Sequence, residues 1–263
     1  MPMEQNLCVL KGIVVREVKT RESRRLLTIL TEEGGRIQAA ARSADRKNSR
    51  QSQAACQLLS YSEFTIFDYR DRMSINEAEL IDMFPEIQRD VFRLSLASYV
   101  CDTAAGLGET DLPDNEVFRL TMNTLHALAR TELPLGIIKA AFEVRVAGIA
   151  GYAIDLETCD GCGEELSAAL VDTSGGAAYC TACGAKRPAG EGLHYLPHGA
   201  LLAFRYLLVC DLKRLFAFKI SKREARALGE TAERYITAQV GPSRLLEFYH
   251  SLSRTENTYE SAD

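Results

Sequence analysis

Two pairs of cysteines have the spacing of a metal site. Cys159 and Cys162 form one Cys-x-x-Cys pair, and Cys180 and Cys183 form a second pair after seventeen intervening residues. Two residues between cysteines allow both thiolates of a pair to reach one ion from a tight turn. Four thiolates suit tetrahedral zinc and leave no open position for a catalytic water. The spacing therefore predicts one structural zinc ion.

Other interpretations of the cysteines stay open at the level of the sequence. The pairs could be redox-active disulfides, ligands of an iron–sulfur cluster, or chance neighbours that bind nothing. His194 and His198 follow the second pair, and we expect both to be surface or packing residues because four cysteines complete a zinc shell. The remaining four cysteines lie in apolar contexts and are expected to be buried free thiols: Cys8, Cys56, Cys101 and Cys210.

The composition is that of an ordinary globular protein, with 46% hydrophobic and 25% charged residues in 263. No apolar run approaches the roughly 18 residues of a membrane-spanning helix. The first residues lack the basic and apolar regions of a signal peptide. We therefore expect a cytoplasmic protein that makes no contact with a membrane.

The net charge of −5 conceals a basic segment, which we define as residues 11–50. It contains eleven lysines and arginines against five acidic residues. Lysine and arginine side chains bind the phosphates of nucleic acids, whatever the base sequence. A solvated charged face is the alternative interpretation. The candidate DNA contacts are Arg21, Arg24, Arg25, Arg42, Arg46, Lys47 and Arg50.

Aromatic residues follow the basic segment and have two possible roles. They could stack on bases in a single-strand groove, or they could fill the core of a small barrel. For Phe64 and Phe67 we favour the core. The four residues are Tyr61, Phe64, Phe67 and Tyr69.

The pattern of apolar residues changes along the chain. Residues 7–83 contain five short runs typical of strands, which suit a small barrel better than a sandwich. After Phe84-Pro85 the period becomes helical. Ser221-Lys222-Arg223-Glu224 has the pattern of a capping box that opens a helix. The sequence contains no nucleophile elbow, phosphate-binding loop or zinc-protease motif, so we expect no enzymatic activity.

The motifs, taken in order, resemble those of the bacterial recombination mediator family RecO. Near the start the resemblance lies in the strands and in the Ala41-Arg42-Ser43 turn. Its most specific block runs from Phe142 to Tyr152 and continues into Cys159-Asp160-Gly161-Cys162-Gly163. Gly175-Gly176 and Cys180-Thr181-Ala182-Cys183 close the block.

The resemblance implies an α+β protein of several domains. An oligonucleotide-binding (OB) barrel would occupy residues 1–83, and a four-cysteine zinc module at 152–192 would be inserted between two helical parts, 84–151 and 193–263. Such proteins bind single- and double-stranded DNA and anneal complementary strands. With RecR, and RecF in some pathways, they help RecA to displace single-strand-binding protein (SSB), acting at the nucleoid during repair.

Two other functions compete with a DNA-binding mediator. The chain could be a protein scaffold of the recombination pathway with little DNA binding of its own. It could also be a cysteine redox enzyme, which a content of one zinc per chain would exclude.

Overall fold

The computed structural model describes residues 6–19, 25–33, 35–41, 53–69, 72–107, 115–187 and 192–260. The chain forms two compact units. The first, here called the barrel unit, comprises Met1–Arg130 together with Phe248–Asp263. The second, here called the helical unit, comprises Thr131–Glu247. The domain boundaries predicted at residues 83, 151 and 192 stay predictions.

A closed barrel of five strands lies at the start of the barrel unit. The strands are β1 (Asn6–Lys19), β2 (Arg25–Thr31), β3 (Arg36–Ala41), β4 (Tyr61–Tyr69) and β5 (Arg72–Asp82). They close in the order β1-β2-β3-β5-β4, and only the β3–β5 pair is parallel. The predicted five-stranded barrel is therefore confirmed.

The barrel core is filled by alternate residues of its strands, as the period of two in a strand requires. Phe64 and Ile66 on β4 point inward and are fully buried. Gly12 lies where β1 crosses β2 closely. A Cβ atom at Gly12 would lie 2.5 Å from the carbonyl oxygen of Leu30, so only glycine fits there.

Helices complete the barrel unit. They are α1 (Pro85–Gln88), α2 (Val91–Leu107) and α3 (Glu116–Arg130). Phe84 precedes α1 and is fully buried, with its ring edge-on to that of His126 on α3 at 5.3 Å between centroids. Phe84 therefore fixes the junction between the end of the barrel and these helices.

The helical unit contains long helices and a small sheet. Its elements are α4 (Leu135–Ile149), β6 (Ala169–Asp172), β7 (Ala177–Tyr179), α5 (Thr181–Gly184), β8 (Leu193–Leu196), α6 (His198–Val209), a 3-10 turn (Leu212–Arg214) and α7 (Lys222–Val240). Helix α8 (Arg244–Glu260) follows. The sheet has the order β7-β6-β8 and is antiparallel. We call residues 152–196 the cysteine module.

An ion cluster is buried between α4 and α7. The Nζ atom of Lys139 lies 2.9 Å from a carboxylate oxygen of Glu143 and 2.7 Å from one of Glu233. The Glu143 side chain is fully buried and that of Lys139 is 6% exposed. Burial opposes the charge of Lys139, but the two carboxylates outweigh it and raise the pKa of the amine.

The helical pattern predicted after Phe84-Pro85 is confirmed. Ser221 and Glu224 form the predicted capping box at the start of α7. Strands β6 and β7 form a hairpin around Gly175-Gly176. The third strand of the sheet, β8, was not predicted.

Among the described residues, no helix is both long enough and apolar enough to cross a membrane.

Candidate metal centre and basic segment

The four predicted cysteines meet at one point of the helical unit. The sulfur atoms of Cys159, Cys162, Cys180 and Cys183 all lie within 4.8 Å of one another. The sulfurs of Cys162 and Cys180 are 3.9 Å apart. Zinc–sulfur bonds of about 2.3 Å at tetrahedral angles place sulfur atoms about 3.8 Å apart. The arrangement therefore has the size of a tetrahedral four-thiolate site and can bind a metal ion.

A turn of the backbone positions each pair of cysteines. In the first pair, a turn is closed by the N–H of Gly163, which donates to the carbonyl of Cys159 at 2.8 Å. In the second pair, Cys180 is the N-cap of the one-turn helix α5, and its sulfur accepts from the N–H of Cys183 at 3.4 Å. Because two residues separate the cysteines of each pair, both sulfurs of a pair can reach the same point, and all four lie within 4.8 Å of one another.

Gly161 allows the two turns to approach each other. A Cβ atom at this position would lie 2.9 Å from Cβ and 3.0 Å from Sγ of Cys183. Such a contact would push the second pair away from the first. The glycine inside the first Cys-x-x-Cys is therefore a packing requirement of the cluster.

Backbone N–H groups supply positive charge to the sulfurs. The N–H groups of Cys180 and Gly161 point to Sγ of Cys159 at 3.2 and 3.4 Å. Desolvation opposes ionisation of Cys159, but these N–H groups and that of Cys162 lower the pKa of its thiol to about 6. The neighbouring Cys180 and Cys162 raise the pKa of Cys183 to about 12. Four clustered sulfurs thus need a cation before all can ionise.

Arg205 on α6 binds the backbone on both sides of the first cysteine turn. Its guanidinium donates to the carbonyls of Leu156 and Leu166, the residues on either side of the Cys159–Cys162 turn, at 3.1 and 3.0 Å. It also lies 3.3 Å from the carboxylate of Glu157. The cysteine module is therefore attached to a long helix by one side chain that satisfies several loop carbonyls.

The other cysteines and the nearby histidines lie outside this cluster. His198 contacts the carbonyl of Ser167 at 2.7 Å through Nδ1. Cys56, Cys101 and Cys210 are buried, as expected. The expectation was wrong for Cys8, which is exposed on β1. Leu7, Cys8 and Val9 are all exposed where β1 pairs with β4, so both faces of this part of the strand are open to solvent.

Three arginines of the basic segment have partners inside the barrel unit. Arg16 forms an ion pair of 2.7 Å with Asp102, and Arg36 donates to the carbonyl of Ala105 at 2.7 Å. Both partners lie on α2, so these arginines attach the barrel to that helix. Arg25, a candidate DNA contact, is only 26% exposed and lies 3.4 Å from Glu17 and from the carbonyl of Cys56.

The other candidate contacts fall outside the described residues: Arg21, Arg24, Arg42, Arg46, Lys47 and Arg50. Lys11 and Lys19 of the same segment are exposed on β1. Of the charges in the basic segment, some therefore stabilise the fold and others remain available to a ligand.

Two aromatic side chains near the basic segment, Phe64 and Tyr61, contribute to packing. Phe64 lies in the barrel core, as expected, whereas Phe67 is only partly buried and pairs with the exposed Leu7. The hydroxyl of Tyr61 donates to Glu32 at 3.0 Å, and its ring lies 6.2 Å from that of Phe118 on α3. Burial, together with the Glu32 carboxylate, raises the pKa of Tyr61 to about 12.

Comparison with known families matches nearly the whole chain. The family model described as "Recombination protein O N terminal" matches residues 3–84, and the one described as "Recombination protein O C terminal" matches residues 88–246. The chain belongs to the RecO family.

Curated RecO proteins of several bacteria are similar over most of their length. The chain is 30% identical to the DNA repair protein RecO of Acetivibrio thermocellus over 92% of its own length and 96% of that protein. It is 27% identical to RecO of Symbiobacterium thermophilum, over 87% and 90% of the two chains. For RecO of Alkaliphilus metalliredigens the identity is 28%, over 86% and 91%.

Family membership settles the general class of function. The chain is a RecO protein of DNA repair and recombination, and RecO proteins are mediators rather than enzymes. The absence of a catalytic motif from the sequence agrees with this assignment. The four cysteines therefore do not form the active site of a redox enzyme.

A second group of cations in this RecO protein was not singled out from the sequence. Residues 213–226, here called the basic strip, contain six basic residues and one acidic residue. A count of charged residues over this stretch would have found the strip. The net charge of the whole chain does not show it, because acidic residues elsewhere outweigh it. The basic residues are Lys213, Arg214, Lys219, Lys222, Arg223 and Arg226.

Proposed function

We propose that this RecO-family protein binds single- and double-stranded DNA and anneals complementary strands. Together with RecR, and with RecF where that protein takes part, it would help load RecA on single-stranded DNA coated with SSB. It would act in the bacterial cytoplasm, at the nucleoid during repair. The observation that carries this proposal is the match of both RecO family models across residues 3–84 and 88–246.

The basic segment supports DNA binding by the barrel unit. Arg16, Arg25 and Arg36 have partners within the fold, so they contribute little free charge. We therefore assign the phosphate contacts to the remaining candidates: Arg21, Arg24, Arg42, Arg46, Lys47 and Arg50. At Arg16 and Arg25 an existing ion pair would have to be broken before the guanidinium could bind phosphate.

Zinc is the metal that best suits the cysteine cluster. Four sulfur donors at tetrahedral spacing favour zinc over magnesium or calcium, which prefer oxygen ligands. Cys159, Cys162, Cys180 and Cys183 would hold it. Bound zinc would offset part of the negative charge of the four thiolates and join the two turns through bonds to one ion. Its role is structural, since no ligand position remains for a substrate.

Charge reversal at residues 46, 47 and 50 tests the DNA-binding proposal. The triple variant Arg46→Glu, Lys47→Glu, Arg50→Glu should lower affinity for single-stranded DNA at least about 100-fold at low salt, because three phosphate contacts become repulsive. The dependence of log Kd on log salt should become less steep by about 0.7 for each lost contact. Fluorescence anisotropy with a labelled oligonucleotide measures both quantities.

A matched variant controls for total charge. Arg119, Lys186 and Arg244 are exposed and lie outside both basic groups, so reversing all three changes the net charge equally. This control should bind DNA almost as the wild type does. If the variant at residues 46, 47 and 50 binds DNA as well as this control does, the DNA site does not include these three residues.

A scaffold function is the second candidate, and the observation that favours it is the net charge of −5. A scaffold would associate with RecR but would not bind DNA itself. Sedimentation of the mixture with RecR, with and without an oligonucleotide at low salt, separates the two functions. A stable complex with RecR, and no DNA binding by either the chain or the complex, would favour the scaffold.

A further inference from the structure

Arg16, Arg25 and Arg36 of the basic segment have partners inside the fold, whereas the cations of the basic strip have few. All six of its cations are exposed. Arg226 pairs with Glu230 at 2.8 Å. Within the part of the helical unit that the structure describes, the other five form no ion pair: Lys213, Arg214, Lys219, Lys222 and Arg223. Their charge is therefore available to a ligand.

Folding alone does not explain why cations gather at the start of α7. The first turn of a helix carries partial positive charge, so lysine and arginine there are mildly destabilising. The backbone at this end already has its partners. Ser221 accepts from the N–H of Glu224, and Glu224 accepts from the N–H of Ser221 at 2.9 Å. Lys222 and Arg223 thus act against the helix, which indicates a purpose outside the fold.

Aromatic rings lie beside these cations. Tyr206 on α6 donates its hydroxyl to the carbonyl of Arg214 at 2.6 Å, which fixes the strip against that helix. The ring of Tyr206 lies 6.1 Å from that of Phe218, and both rings are half-buried. Cations interspersed with aromatic rings are typical of surfaces that bind single-stranded nucleic acid through phosphates and stacked bases.

The spread of the cations favours a polymer over a compact anion. They occur at the 3-10 turn, in the segment that follows it and along the first turns of α7, so no single group could contact them all. A DNA strand offers a phosphate at every nucleotide and could contact each in turn. Leu202 and Val209 are exposed on α6 and would suit an acidic peptide with apolar residues, which is the competing occupant.

From these observations we infer that the basic strip holds the phosphate backbone of a second DNA strand. This inference rests on the proposed function, in which the basic segment of the barrel unit holds the first strand. Annealing requires that two strands be held at once. A chain with two separate phosphate-binding surfaces can meet that requirement without a second copy.

The double variant Lys222→Glu, Arg223→Glu, made in the full chain, tests this inference. Glutamate at these positions favours the helix start, so α7 should remain folded. Titration with an unlabelled oligonucleotide of about ten nucleotides should give two strands per wild-type chain and one per variant chain. The rate of annealing should fall about tenfold or more, while the tighter of the two binding events is unchanged.

A matched control is Arg119→Glu, Arg244→Glu, which makes the same change in charge away from the strip. It should keep both the wild-type stoichiometry and the wild-type annealing rate. Reversal of Arg46 and Lys47 should remove the tighter binding event instead and leave one weaker event.

Each result has a clear meaning. If the wild type binds one strand and the strip variant anneals normally, the inference is wrong and the proposed function stands. If the wild type binds no DNA at low salt, both are wrong. If the strip variant binds DNA normally but loses an acidic, apolar peptide that the wild type binds, the strip is a protein-docking surface and the inference is overturned.

Discussion

The cysteine module and the basic segment use their chemically active residues in opposite ways. In the module, four side chains of one type converge on one point, and the backbone between them serves that convergence. In the basic segment, cationic side chains have different roles. Arg16 and Arg36 attach the barrel to α2, while Lys11 and Lys19 face solvent.

The difference shows how far a residue type indicates a role. Cysteines at this spacing have few alternatives, because a tetrahedral site fixes the distance between every pair of ligands. Arginine at a given position has many alternative roles, because its guanidinium can bind carboxylates, backbone carbonyls or phosphates. A cluster of thiols therefore specifies a site, whereas a cluster of cations specifies only a charge.

Removal of one ligand is the strongest test of the module. We expect Cys180→Ser to reduce the zinc content from one ion per chain to nearly none. Structural zinc contributes on the order of 10 kcal/mol to the folding of small peptides, so the module should lose its sheet. Elemental analysis gives the zinc content. Hydrogen exchange should show faster exchange for the amides of Val171 and Ala178, with barrel amides such as Ile66 unchanged.

The variant Cys8→Ser is the matched control, since Cys8 is exposed and lies outside the cluster. It should keep both its zinc and its protected amides. A Cys180→Ser protein that still binds one zinc ion with wild-type protection would show that the cluster is not the metal site.

The sequence predicted those features whose signals are local. The cysteine spacing, the alternation in β1 to β5 and the capping box at Ser221 each lie within a short stretch. Partners that are distant in the chain could not be predicted in this way. Asp102 lies 86 residues from Arg16, and Glu233 lies 94 residues from Lys139. Strand β8 was missed for the same reason, because four residues become a strand only through pairing with β6.

Substitution of Lys139 tests how much the buried ion cluster contributes to the stability of the helical unit. In Lys139→Met the fully buried carboxylate of Glu143 loses the ammonium group that lies 2.9 Å away, which should lower the free energy of unfolding by about 3–5 kcal/mol. Urea denaturation at neutral pH measures this loss. The pKa of Lys139 is raised in the folded state, so its contribution is complete below the ordinary lysine value of about 10.4 and is lost as the pH rises through the raised value.

A double variant distinguishes the lost charge from lost packing. Lys139→Met with Glu143→Leu leaves no uncompensated charge at full burial, since the side chain of Glu233 is 31% exposed. Most of the stability should then return. If the double variant is as unstable as Lys139→Met, packing of the lysine stem rather than its charge accounts for the effect.

The smallest expected effect separates the two kinds of arginine in the basic segment. Arg16→Ala breaks an ion pair whose side chains are 45% and 42% exposed, so water screens the pair and the cost should be at most about 1 kcal/mol. Because Asp102 already occupies this guanidinium, the affinity for DNA should change less than twofold. Arg46→Ala should do the opposite and weaken DNA binding without a change in the urea midpoint. An Arg16→Ala protein that loses DNA binding while keeping its stability would show that Asp102 releases the arginine to phosphate, and the division of the segment into anchoring and binding cations would then fail.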